Sequence, residues 1–312
     1  MKYLYLLAFA YIAAVIWTQP IRFDERWIFD NAVKVSQGQL PYRDFVITYG
    51  PAPYIIYGVV FKVFGYSWLV TRVCATLVTA VFLSFLALAL YFAAPGKVSR
   101  WLTLVMILFF WEYPLIYIST YTAIVPIILL LCLLLCDVIE SDDTAIYISA
   151  CTGAVYLFRL DTGVMVTFTT AGLLFMLGSA RRFEQYLKHV ALFGAVCVGI
   201  VLCYSSPGDI INTLAQTYGL AENYGSFNLN IHRWTHVVYK FPIFSPILIC
   251  TLAAWSLFKK YDIEIMVTAV FTLMLYVPVL YSLDTPHAVP ANLMSLVLAG
   301  MILNSERRSH AQ

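Results

Sequence analysis

The chain has 312 residues, 62% of them hydrophobic and only 12% charged, with a mean hydropathy of +0.82. Soluble domains run at about 45–50% apolar and about 25% charged, so a soluble globular domain is excluded. The 16% aromatic content excludes a disordered or fibrous chain, and the net charge of +2 comes from scattered Lys and Arg with no stripe to hold nucleic acid. A polytopic membrane protein remains.

A hydrocarbon core about 30 Å thick takes about 20 apolar residues of helix. Ten runs qualify as spans, several of them short: 3–18, 69–92, 101–111, 121–136, 144–158, 163–178, 189–204, 244–258, 263–281 and 288–303. The expected fold is an all-α integral membrane protein, a single domain over 1–312. The first run follows Lys2 but exits through Trp17-Thr18-Gln19-Pro20, which lacks a small-x-small cleavage site, so it reads as an anchor. All seven cysteines fall within apolar runs and read as small core residues, not as a disulfide framework.

Lys and Arg favour the cytoplasm when they sit in short loops. With the N-terminus inside, the cytoplasmic connections carry Lys97 and Arg100, then Arg181, Arg182 and Lys188, then Lys259 and Lys260, then Arg307 and Arg308. Two segments on the other face are long, 19–68 and 205–243. Loops beyond about 12–15 residues are usually functional.

The first outer segment opens with Asp24 and Glu25 ahead of apolar positions 27, 28, 32, 33 and 35, the spacing of an amphipathic helix lying in the interface. Carboxylates in a first turn are favoured by the helix dipole whatever else they do. Gly38 stops that helix, and Pro41, Pro51 and Pro53 break the chain before a short apolar run, 54–64, that ends at Gly65 and is too short to span. It reads as a second interfacial helix.

Further along, Glu112 stands beside Pro114 after the third span, as a plain interfacial residue or a site acid. Arg159 and Asp161 close the fifth span at the outer boundary, where charges are costly and are either paired or functional. Two readings stay open there: a pair that ties two spans together, or an Arg159 that binds phosphate. In 205–243, His232 and His236 share a helical face, but Arg233 occupies the place of the zinc-protease Glu, so interfacial contacts are expected and not a metal site. Asp209 and Glu222 read as solvated loop charges. Asp284 and His287 end the ninth span, with Asp284 able simply to cap the turn before Pro286.

The ordered set Asp24-Glu25, Ala32, Gly38, Pro41-Tyr42, Asp44-Phe45, Gly50-Pro51, Tyr54, Phe64-Gly65 and Arg72 resembles the first outer loop of the GT-C-type membrane glycosyltransferases that use polyprenyl-phosphate sugars. These include protein O-mannosyltransferases and the bacterial aminoarabinose transferase of lipid A. The likeness covers about 50 residues closely, and elsewhere rests on hydropathy, Arg159-x-Asp161-x-Gly163 and Asp284-x-x-His287.

The resemblance implies a donor sugar on a polyprenyl phosphate, transferred with inversion on the non-cytoplasmic face to a glycan, lipid or protein acceptor of the cell envelope. The family's first-loop acid is the catalytic base and maps to Asp24, with Glu25 beside it; a second acid maps to Glu112. The departing lipid phosphate needs positive charge, from Arg159 first, then Arg43, Arg233 and Lys240, with a divalent cation as the other source. Asp44, Tyr49, Asp161, Asp284 and His287 complete the expected substrate surroundings. Nucleotide sugars are cytoplasmic, so an outward-facing transferase needs a donor delivered through the bilayer, and the sequence accordingly has no Gly-rich phosphate loop.

Many relatives carry a further domain or extra spans after the tenth helix. Acceptor recognition is here expected of the outer loops or a partner protein. The expected setting is the bacterial inner membrane with the site facing the periplasm. A lipid or glycan transporter or flippase would place its charges near the midplane, whereas the span centres here are almost uncharged. A non-catalytic assembly subunit would tolerate neutralisation of Asp24, Glu112 and Arg159 together.

Overall fold

A computed structural model describes residues 23–47, 49–77, 121–137, 144–176, 180–228, 263–282 and 294–305, with isolated helical positions at 10, 14, 17, 18, 81, 91, 254, 255 and 291. Among these residues all regular structure is helical, apart from one isolated bridge between Pro41 and Phe45. The helices are α1 (Phe23–Ser36), α2 (Ala52–Phe64), α3 (Trp68–Leu77), α4 (Tyr121–Asp137), α5 (Thr144–Phe158), α6 (Leu160–Met176), α7 (Ala180–Leu202), α8 (Pro207–Asn228), α9 (Ile263–Ser282) and α10 (Met294–Ser305). The expected spans at 3–18, 101–111 and 244–258 lie wholly or mostly outside the described residues.

The chain divides into two compact units. One comprises Met1–Ile21, Ala75–Cys136 and Asn230–Gln312, and holds most of α4 with α9 and α10. In α9, Ile265, Val267, Ala269, Phe271, Met274, Leu275 and Tyr276 are all buried, so apolar groups are covered around most of its circumference. Its two buried threonines need no distant partner for their hydroxyls in at least one case, since Thr272 Oγ1 donates back to the Thr268 carbonyl at 2.7 Å.

The other unit, Arg22–Cys74 and Asp137–Leu229, carries the first outer segment and α5 to α8. α1 and α2 pack together through Phe29, whose ring meets Tyr57 edge-on at 5.1 Å and Phe61 at 6.2 Å. Gly58 allows the two backbones to close up, because a Cβ there would stand 2.6 Å from Val35 Cγ1 and 3.1 Å from the Ala32 carbonyl. α2 buries Pro53, Tyr54, Tyr57, Gly58 and Phe61 and leaves Ile55, Ile56, Val59 and Val63 exposed.

α5, α6 and α7 pack on one another. Tyr186 of α7 is fully buried; its phenol lies 3.2 Å from Thr152 Oγ1, and its carbonyl accepts from Ser149 Oγ at 3.3 Å. α7 has 23 residues and is the one described helix long and apolar enough to cross a membrane; at 1.5 Å per residue it reaches about 35 Å, beyond a hydrocarbon core of about 30 Å. It begins nine residues before the expected span at 189, taking Arg181, Arg182 and Lys188 into its first half.

Candidate functional site

The loop from 37 to 50 is built by a few backbone-specific residues. α1 ends in a Schellman motif: Gly38, at φ +89°, donates its amide to the Val35 carbonyl at 2.9 Å, and the Gln39 amide reaches the Lys34 carbonyl at 3.0 Å. Four residues on, Tyr42 holds φ +70°, a left-handed conformation that costs a bulky side chain of order 1–3 kcal/mol. The turn it creates closes on itself. The Tyr42 amide donates to the Phe45 carbonyl at 3.1 Å, the Asp44 amide to the Leu40 carbonyl at 3.0 Å, and the Leu40 amide to Asp44 Oδ2 at 2.7 Å.

Arg43 and Asp44 form a two-pronged pair across this turn, with Nε to Oδ1 at 2.9 Å and Nη2 to Oδ2 at 2.7 Å. The Arg43 fork, together with the Leu40 amide, holds the Asp44 carboxyl below the usual carboxylate range, and Asp44 in turn raises Arg43. The phenol of Tyr42 is pushed up to about 12, first by burial and then by Tyr204, Tyr54 and Cys197 nearby. It stays neutral at any physiological pH and can donate or accept a hydrogen bond, but it is no base.

At its far end this loop meets the break between α5 and α6. The Gly50 amide donates to the Phe158 carbonyl at 2.9 Å, and a Cβ at Gly50 would stand 2.1 Å from the Leu157 carbonyl oxygen, so only glycine fits this approach. Arg159 is the single residue between the two helices, and its guanidinium lies 5.6 Å from the centre of the Tyr49 ring. Arg159 Nε donates to Asp161 Oδ1 at 2.9 Å, and its Nη2 makes a second, shorter contact with Asp161 Oδ2. The two partners differ in exposure: the Arg159 side chain is 8% accessible, that of Asp161 52%. The guanidinium is therefore a buried charge whose counter-ion faces outward.

A third element closes on the same loop. Ser206, Pro207 and Asp209 start α8 with a capping box in which the Ser206 amide donates to Asp209 Oδ2 at 2.9 Å and the Asp209 amide to Ser206 Oγ at 3.2 Å. Ser206 holds the Asp209 carboxyl down, while the charge of nearby Asp44 acts in the opposite direction. Nearly two turns into α8, Thr213 Oγ1 donates to the Tyr42 carbonyl at 3.5 Å.

Of the residues expected at a site, the structure thus brings Tyr49, Arg159 and Asp161 together and joins them through one loop to Arg43 and Asp44. An Arg159–Asp161 ion pair is present, and it is local, joining the break residue to the first turn of α6 rather than one helix to the other. Asp24 and Glu25 belong to the first turn of α1, but their side chains are not among the described ones. Glu112, Arg233, Lys240, Asp284 and His287 lie outside the described residues.

Sequence reading missed α8 altogether and took Asp209 for a loop charge. The signal was Ser206-Pro207-Gly208-Asp209, a helix-start pattern with Pro in the first position. It also took Cys203 for a core residue, whereas Cys203 is exposed in the turn between α7 and α8. No family model, no curated protein and no solved structure matches the chain.

Proposed function

We propose that this is a ten-span membrane glycosyltransferase that moves a sugar from a polyprenyl phosphate to an envelope acceptor on the non-cytoplasmic face. The observation that supports it best is the docking of the first outer loop on the α5–α6 break, through Gly50 to Phe158 and Tyr49 to Arg159. Segments far apart in sequence, each read as outer, meet there around a buried guanidinium. The exposed apolar side chains of α7, among them Leu192, Val196, Val198 and Ile200, suit contact with lipid tails.

In this reading the acceptor hydroxyl oxygen attacks the anomeric carbon, and its proton passes to the Asp24 carboxylate. The bond from that carbon to the phosphate oxygen breaks, and its electron pair leaves on the polyprenyl phosphate, inverting the anomeric centre. Arg159 supplies positive charge where that phosphate departs, and Asp161 holds the guanidinium plane in place. Preorganised charge of this kind is commonly the largest catalytic contribution. Glu25, Glu112, Arg43, Arg233, Lys240, Asp284 and His287 are proposed to border the substrates, with a divalent cation as an added source of charge.

The test is a reconstituted assay of polyprenyl phosphate release from a lipid-linked sugar. Asp24→Asn should lower turnover by about 10²-fold or more, the contribution of a placed general base, at unchanged expression. Turnover equal to that of the parent would remove Asp24 from the mechanism, and a parent that releases no polyprenyl phosphate would leave the chain to a flippase or assembly role.

A further inference from the structure

The sequence singles out Tyr42 as one letter of a motif, and the structure gives it three unusual properties at once. Its backbone is left-handed, at φ +70°, in a residue that ordinarily avoids that region. Its phenol is largely withdrawn from solvent, and Tyr204 in the turn before α8, Tyr54 of α2 and Cys197 of α7 are near enough to act on it electrostatically. Its carbonyl accepts the Thr213 hydroxyl from α8 at 3.5 Å. Side chain and main chain thus both engage the α7–α8 elbow, while the turn's own hydrogen bonds, Tyr42 to Phe45 and Asp44 to Leu40, use different atoms.

That separation matters. A left-handed bulky residue persists only where its surroundings over-determine it. Here the turn would form more easily with glycine at position 42, so a tyrosine is held there by its surroundings and not by what its backbone allows. The attachments of this loop outside itself include the Tyr42 carbonyl to Thr213 at one end, the Phe45 ring against Lys34 of α1 and Tyr54 of α2 in the middle, and the Gly50 to Phe158 hydrogen bond at the other end. Tyr49, whose ring faces the Arg159 guanidinium, lies next to the last of these.

We infer that Tyr42 is a positioning residue, a wedge set into the α7–α8 elbow that couples the second outer segment to the first and keeps Tyr49 and Gly50 seated at Arg159. Its role in turnover rests on the glycosyl-transfer reading, but the wedge itself does not. The phenol touches no reacting atom; it acts through the loop. α8 then becomes part of the site's scaffold, and a shift of the second outer segment would be felt at the phosphate-facing end of the first.

The experiment is hydrogen exchange on the purified full chain, resolved to single amides, paired with donor kinetics. In Tyr42→Gly, which relieves the backbone and removes the ring, the Gly50 amide should lose about tenfold in protection through easier local opening, while the Asp44 amide and the α1 amides keep theirs. Tyr42→Phe, which keeps the ring, should exchange like the parent. Donor KM should rise about tenfold in Tyr42→Gly with kcat within about twofold, the split expected when binding common to the ground and transition states is lost. An unchanged Gly50 amide in Tyr42→Gly overturns the wedge, and lost Gly50 protection with an unmoved donor KM overturns its positioning role. Where the α1 amides also open in Tyr42→Gly, Tyr42→Asn decides, because asparagine tolerates the left-handed backbone but lacks the ring: weaker Gly50 protection there supports the wedge, and parent-like protection overturns it. A parent without turnover fails the glycosyl-transfer reading alone, because exchange still decides the wedge.

Discussion

At the level of single residues, the glycines and the Arg159–Asp161 ion pair make opposing demands that can be measured. Gly50→Ala forces a methyl group into the Leu157 and Tyr156 carbonyls, at 2.1 and 2.6 Å, and backbone oxygens cannot step aside as a side chain would. It should cost about 1–3 kcal/mol as overpacking, seen as a lower melting temperature. Gly172→Ala is the contrasting control. It sits in α6 with nothing within 4 Å of a new Cβ, and should be neutral or gain about 0.5–1 kcal/mol. The ion pair is asymmetric in the same testable way. Asp161→Ala removes the carboxylate that faces a guanidinium only 8% accessible, whereas Arg159→Met leaves behind a carboxylate already 52% in solvent. The first should cost about 1–3 kcal/mol, less than a fully buried pair because solvent reaches the site through Asp161, and the second about 0–1 kcal/mol, compared by chemical denaturation.

At the level of elements, two carboxylates fasten the loop and α8, and both respond to acid in the same direction. Asp44 and Asp209 are held below their ordinary values, by Arg43 and by Ser206 respectively. A depressed carboxyl contributes stability above its unfolded value of about 3.9 and loses it as pH falls through the lower folded value. Below about pH 4 the Leu40 amide and the first turn of α8 should therefore lose exchange protection, corrected for intrinsic rate, while amides within α5 do not. These same elements show what was legible beforehand. The apolar runs predicted α4, α5 and α9 to within a residue or two, because hydropathy alone bounds such helices, and Gly38 and the prolines framed α1 and α2. α8 is half polar, so periodicity and hydropathy both passed over it, and only its capping box marked it. Of the site, the sequence offered Arg159, Asp161 and Tyr49 as separate letters. Their meeting depends on Gly50 and on a left-handed Tyr42, and tertiary approaches of that kind leave no local pattern to read.

At the level of the molecule, the proposed ten-span topology predicts a sidedness that one native residue reports. Cys203 is exposed in the α7–α8 turn and should react with a membrane-impermeant maleimide applied from outside intact spheroplasts, while the buried Cys74 and Cys132 stay unlabelled. Labelling only after the membrane is broken would invert the topology and move Arg159 to the cytosol. The same topology has a consequence for biosynthesis. If the proposed sidedness holds, the α5–α6 break carries an arginine through the translocation machinery, where a charged side chain costs about 2.5–3.5 kcal/mol. Asp161 follows Arg159 by only two residues and grips it with two prongs, so the segment can make the passage as a neutral unit. The aspartate would then serve first as an escort during insertion and only afterwards as a brace in the finished protein.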